Sequence, residues 1–320
     1  MKNKIFALMR VGVSLSLLGL LIWLMRDEFS QIKETLLASN FLFILAAVCL
    51  FNITVSVISY RMKIVFEGEN LDLSIWESIQ LTYIGYFFNN FMPTAVGGDV
   101  VKAHYATQTN QKRMQSYASV LMDRLIGLYS FLIIAAIALA INWQSFRIPL
   151  ARNMIFLFLG LGVVGFLIIT NKTVESILQR FFKRIKMRQL GEKLEELYSI
   201  VHDYRNRLDV IGKALLISIF AQSTYFVVIY MFFRSLGLDT GIGNIFLIMP
   251  VVTFISMFPS LGGLGVREGA MVALFAPLTG KDNAFAASLL LLFLLFLVSL
   301  IGGIIYFWWG VSARRKESVQ

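Results

Sequence analysis

Two stretches of this chain set ionisable side chains beside a proline and a glycine pair, inside sequence that is otherwise apolar. Residues 91–103 read Phe-Met-Pro-Thr-Ala-Val-Gly-Gly-Asp-Val-Val-Lys-Ala, and residues 257–269 read Met-Phe-Pro-Ser-Leu-Gly-Gly-Leu-Gly-Val-Arg-Glu-Gly. Pro93 and Pro259 each stop a helix, because proline has no N–H and clashes with the preceding turn. Gly97–Gly98 and Gly262–Gly263 permit a sharp reversal with exposed backbone. Such backbone is tolerated at membrane depth only inside protein or beside a water-filled cavity. Two breaks at corresponding places in two halves point to a transporter's binding site.

The chemistry on offer is anion binding. Lys102, Arg124 and Arg267 suit a phosphate, and the helix starts after each glycine pair add positive dipole and free N–H groups. Asp99 and Glu268 either carry protons or pair with neighbouring bases. Asp123 and Arg124 lie about two turns into an apolar run, where an ionisable group is costly and marks function by default; the competing reading is a structural ion pair near the interface. Asn90, Ser260 and the residues of the two breaks complete the candidate site. His104 and His202 sit in polar surroundings and read as solvated. With no cluster of His, Cys or carboxylates, no metal site is expected. No G-x-x-x-x-G-K-[ST] loop occurs, so direct use of ATP is not expected. No Ser–His–Asp or zinc-protease pattern is present either, so no catalytic residue and no cofactor is expected.

The elements that must position these residues are membrane helices. The chain has 320 residues, 58% of them hydrophobic and 15% charged. That is too apolar for a soluble domain. The single cysteine, Cys49, rules out an intrachain disulfide and reads as core packing. Apolar runs predict spans at about Ile5–Met25, Phe41–Tyr60, Tyr117–Ile141, Met154–Thr170, Ile211–Phe233 and Ala284–Trp309. The first resembles a signal peptide but lacks a small-residue cleavage site, and it reads as a retained span. Ile75–Phe91 leads into the first break and Asn244–Phe258 into the second. The stretch 171–212 has apolar residues at helical spacing with charges between, and predicts amphipathic helices on the membrane surface or against the bundle.

The net charge of +10 does not indicate nucleic acid. Basic residues concentrate in loops on one side, as the positive-inside rule expects. Asn171–Lys213 alone holds ten Lys or Arg, so it is expected in the cytoplasm together with both termini. Each break region must then cross an even number of times, as a re-entrant hairpin or as two full spans. Asn244–Phe258 is only ~22 Å long as a helix, against a ~30 Å hydrocarbon core, which favours a hairpin. The expected fold is an all-α polytopic membrane protein of about six transmembrane helices plus two opposed re-entrant hairpins. It forms one integral membrane domain, 1–320, whose halves, 1–141 and 154–310, make an inverted repeat.

These motifs resemble the flippase-like membrane domain of lysylphosphatidylglycerol synthases of the MprF type and its stand-alone relatives. The resemblance rests on Asn89-Asn90-Phe91-Met92-Pro93 with Gly97-Gly98-Asp99, on Asp123-Arg124, and on the run Pro259 to Glu268. It implies lipid translocation in a bacterial-type cytoplasmic membrane. The aminoacyl transferase domain is expected to be absent, because the chain ends at Gln320. The substrate class expected is an anionic phospholipid or a polyprenyl-phosphate-linked lipid. Two other readings stay open: a non-transporting subunit of a lipid-modifying or glycosyltransferase system, and a membrane-embedded lipid-phosphate enzyme. A homo-oligomer or a lipid-synthesis enzyme is a further possible partner.

The charge pattern generates a test of topology. Single cysteines at Thr107 and Asp239, in a Cys49→Ser background, are expected to react with an impermeant thiol reagent from opposite sides. Labelling of both from the same side rules out opposed hairpins.

Overall fold

A computed structural model describes residues 29–91, 97–110, 112–141, 149–171, 177, 188–258 and 263–317. The first predicted span, Pro93, Pro259, Ser260, Gly262 and part of the 171–212 connection lie outside the described residues. The described residues form helices with no strand among them. These are α1 (Phe29–Leu37), α2 (Phe41–Gly68), α3 (Ile75–Phe91), α4 (Gly97–Asn110), α5 (Arg113–Ile141), α6 (Pro149–Thr170), α7 (Arg188–Asp203), α8 (Leu208–Ser235), α9 (Ile242–Ser256), α10 (Val266–Thr279) and α11 (Lys281–Glu317). Five of them, α2, α5, α6, α8 and α11, are long and apolar enough to cross a membrane, and they coincide with the second to sixth predicted spans.

Local chemistry starts these helices where they start. Asn40 caps α2, its side-chain oxygen accepting from the Leu42 N–H at 3.0 Å. Ser74 and Glu77 form a reciprocal capping box at the head of α3: Glu77 N–H donates to Ser74 Oγ, and Ser74 N–H donates to a Glu77 carboxylate oxygen. Span length differs from expectation at the second helix. Apolar residues predict an end near Tyr60, but α2 runs on to Gly68, ~42 Å in all. Met62, Val65 and Phe66 are fully buried, so the helix carries Arg61 into protein rather than out to solvent.

The central packing unit is the antiparallel pair α2–α8. Thr54 meets Thr224 in a 2.9 Å hydroxyl contact, Arg61 donates to Ser218 Oγ at 2.8 Å, and Gly68 lies against Val210. Around this pair, α3 packs on α2, α4 and α11, while α9 packs on α5, α6, α8 and α10. Thus each predicted break joins two short helices that touch each other. The main core gathers Phe51, Phe131, Phe226, Phe232 and Phe275 with aliphatic residues of α9 and α11.

The connection folds against the bundle in its described part. α7 packs on α5, and Val201 and Tyr204 are buried with Val65, Met122 and Ala214. Tyr204 anchors it, donating its hydroxyl to the Val65 carbonyl at 3.0 Å and contacting Ser119. This corrects the reading of His202 as solvated: it is 2% exposed on the buried face of α7. Cys49 is also corrected, being exposed on the surface of α2 rather than buried.

Close approach of backbones depends on two glycines. A Cβ on Gly98 would collide with the Gly85 carbonyl and the Asn89 side chain, so α3 and α4 touch only because this residue is glycine. Gly302 of α11 likewise faces the Tyr83 carbonyl. By contrast, a Cβ on Gly160 of α6 meets nothing. Gly98→Ala is expected to destabilise the fold by ~1–3 kcal/mol through overpacking. Gly160→Ala should be neutral or stabilising by up to ~1 kcal/mol through helix propensity. Thermal unfolding in detergent compares them; equal midpoints would show that α3 and α4 do not pack this tightly.

Candidate functional site

The break-region charges converge on two adjoining chambers inside the bundle. The first, about 280 Å³, is lined by Arg61, Asp99, Lys102, Asp123, Arg124 and Asn89 among others. The second, about 240 Å³, is lined by Arg267 together with the hydroxyls of Thr54, Thr253, Ser256 and Tyr225. Ile58, Tyr86, Phe131 and Gln222 border both chambers and form the partition between them. Three bases face two acids in the first chamber, which leaves a formal surplus of one positive charge.

Asp123 is held by Arg61, one residue past the expected end of the second span. Arg61 Nε and Nη2 donate to the two carboxylate oxygens at 2.7 and 2.9 Å. Its remaining Nη1 donates to Ser218 Oγ, Ser218 contacts Ser130 Oγ at 2.8 Å, and Ser130 donates to the Gly127 carbonyl at 2.7 Å. Since the Ser130 proton is committed to Gly127, Ser218 donates to Ser130, and the chain of donors runs one way. Both ions are more than nine-tenths buried. The bidentate fork is the geometry that recovers most of the desolvation cost of such a pair.

Asp99 stands in the first turn of α4, where its charge complements the helix dipole. Arg124 Nη1 donates to one of its oxygens, and Lys102 Nζ lies 3.6 Å from the other. The head of α4 is fixed from α3, since Asn89 Oδ1 accepts from the Gly98 N–H at 2.9 Å. Asn90, the predicted neighbour, points elsewhere: its amide donates to the Leu295 carbonyl at 3.2 Å and ties α3 to α11.

The second break shows the same economy. Gly263 and Gly265 have φ of +83° and +79°, a region that L side chains rarely adopt. Glu268 reaches back to cap α10, one oxygen accepting from the Gly265 N–H at 2.6 Å. Its other oxygen accepts from Arg267 Nε and Nη2 at 3.1 and 2.6 Å. Glu268 is fully buried and Arg267 is 8% exposed, facing the second chamber. Arg124 and Arg267 thus stand in adjoining chambers, each against a carboxylate.

Residues 8–303 match the family model described as the lysylphosphatidylglycerol synthase TM region. The chain belongs to that family. It is 25% identical to a UPF0104 membrane protein of Pyrococcus horikoshii over 95% of this chain and 93% of the relative. A UPF0104 membrane protein of Methanothermobacter thermautotrophicus is 22% identical over 81% of this chain and 82% of its own length. No solved structure matches. This family member is thus a multi-pass membrane protein whose charged break residues line internal chambers. The signal that would have found Arg61 was the apolar spacing of Met62, Val65 and Phe66 just beyond it, which extends the helix past the charge.

The Arg61–Asp123 pair predicts an asymmetric mutational pattern. Arg61→Ala should cost roughly 3–5 kcal/mol, because Asp123 is left charged and buried. Replacing both, as Arg61→Met with Asp123→Leu, should recover most of that loss. Unfolding midpoints of the single and double variants give the coupling, and additive losses would mean that the pair is not an interacting unit.

Proposed function

We propose that this family member moves an anionic phospholipid or a polyprenyl-phosphate-linked lipid across the cytoplasmic membrane. The observation that carries the reading is the pair of adjoining chambers. They set Arg61, Lys102, Arg124 and Arg267, from helices of both halves, around internal space in an apolar bundle. A phosphate headgroup would travel through these chambers while its chains stay in bilayer. In this reading α3–α4 and α9–α10 are re-entrant hairpins of an inverted repeat, entering from opposite faces. Both termini and the basic connection face the cytoplasm.

The chain's carboxylates support transport over lipid-phosphate chemistry. Asp99, Asp123 and Glu268 each accept from a guanidinium, and Glu268 also caps a helix. A nucleophile or general base needs a lone pair directed at substrate, and these are directed at protein.

Asp99 has a specific part in this scheme. It occupies Arg124 and Lys102 as a phosphate oxygen would, so an incoming headgroup must displace it. Asp99→Asn is therefore expected to tighten retention of an anionic lipid, while Arg124→Ala weakens it and slows translocation at least ~10-fold, the loss of one charge-assisted hydrogen bond. Arg267→Lys keeps the charge, loses the planar fork, and should retain part of the activity. The assay is scrambling of fluorescent anionic lipid in proteoliposomes, with retained lipid measured by native mass spectrometry on the same preparations. If folded Arg124→Ala and Arg267→Lys proteins both translocate at the wild-type rate, the chambers are not the headgroup path. Stoichiometric recovery of a synthesis enzyme without translocation would favour a subunit role.

A further inference from the structure

A second candidate site lies on the outer face of the α2–α8 pair, away from the chambers. An apolar groove of about 640 Å³ is walled by Ile53 and Val57 of α2, Ile75 and Ile79 of α3, and Leu216 and Phe220 of α8. Tyr60 lines it as well. Tyr60 also borders a polar recess of about 530 Å³ whose walls include Glu67, Arg207, Asp209 and Lys213. The two share Tyr60, and Lys213 of the recess precedes Leu216 and Phe220 of the groove along one face of α8, so a charged end stands beside an apolar one. From Tyr60 to Ile53 the groove follows ~10 Å of helix.

The charges at the recess sort into engaged and open ones. Lys63 pairs with Glu67, and Arg207 leans toward Glu69 at 3.7 Å. Asp209 and Lys213 are both exposed, and no ion pair joins either of them among the described residues. They stand four residues apart on the first turns of α8, hence on one face. An open anion beside an open cation, above an apolar groove, complements a headgroup that carries an ammonium next to a phosphate. We propose that this crevice binds a zwitterionic phospholipid of the phosphoethanolamine type. Lys213 donates to the phosphate, Asp209 accepts from the ammonium, and one acyl chain lies along Val57 and Phe220. A phosphatidylglycerol headgroup offers Lys213 the same phosphate but brings no ammonium to Asp209. The groove itself gives little selectivity, because lipid tails are as apolar as its walls. Recognition therefore rests on Asp209 and Lys213.

The site is independent of the transport reading, and its test reads position rather than transport. Full-length protein in neutral detergent micelles is irradiated with diazirine-bearing phosphatidylethanolamine or diazirine-bearing phosphatidylglycerol, and labelled peptides are mapped by mass spectrometry. The phosphatidylethanolamine probe is expected to label Ile211–Phe220 and the facing part of α2 in preference to the exposed face of α6. Lys213→Ala should reduce that label about two- to fivefold, the loss of one solvent-exposed charge contact. Asp209→Asn should remove the preference over phosphatidylglycerol. Leu216→Trp should fill the groove and lower labelling by both probes. Both headgroup residues are exposed, so the variants are expected to unfold at the wild-type temperature. Arg124→Ala should leave the α8 label unchanged, which separates this site from the chambers. Even labelling of all lipid-facing helices overturns the proposal. So does stronger labelling by phosphatidylglycerol, or a label indifferent to Lys213→Ala.

Discussion

A buried guanidinium in an apolar bundle must be matched donor for donor, and that requirement at Arg61 organises the middle of this protein. Its three donor nitrogens reach Asp123 on α5 and Ser218 on α8, and the hydroxyl relay then ends on the Gly127 carbonyl. Three spans are thereby held at one level by polar contacts rather than by apolar packing, which discriminates poorly between protein and lipid. Gly127 permits the arrangement, because a Cβ there would lie 3.1 Å from Nη1. The charged chamber is built on this frame: its other ions, Asp99, Lys102 and Arg124, hang from α4 and the next residue of α5.

The three carboxylates of the site are not held alike. Asp123 and Glu268 are sealed by several donors each, and Glu268 serves as a helix cap as well as a counter-ion. Asp99 is held by a guanidinium and a more distant ammonium at the edge of open space. A carboxylate that closes a network is expensive to move. One that bridges two cations beside a cavity can be exchanged for another anion at modest cost. This difference in wiring, rather than residue type, separates structural acids from one fit to yield to a ligand.

Much of this was legible in the sequence, and the failures have physical reasons. Long apolar runs located α2, α5, α6, α8 and α11, because only such runs satisfy a hydrocarbon core. Proline and glycine pairs located the breaks, because few other residues interrupt a membrane helix so abruptly. Arg61 falls past the expected end of its span because hydropathy treats a charge as a boundary, whereas three-dimensional pairing with Asp123, 62 positions away, offsets most of the penalty. Asn89 and Asn90 are indistinguishable by type; helix phase alone turns one toward Gly98 and the other toward Leu295. His202 was misread because burial on α7 comes from a partner helix distant in sequence. That Arg124 and Arg267 stand on opposite sides of Tyr86 and Gln222 is likewise a fact of packing, not of spacing.

The α2–α8 pair also has a mechanical meaning. Its rungs at Thr54–Thr224, Arg61–Ser218 and Asn40–Ser235 sit at three separate depths. Sliding one helix along the other by a ~5.4 Å turn would part Arg61 from Ser218 and Asn40 from Ser235 together, while each threonine hydroxyl keeps a carbonyl of its own helix. Each stranded group costs ~1–3 kcal/mol, and the costs fall together rather than in sequence. The pair therefore behaves as a rigid strut against shear.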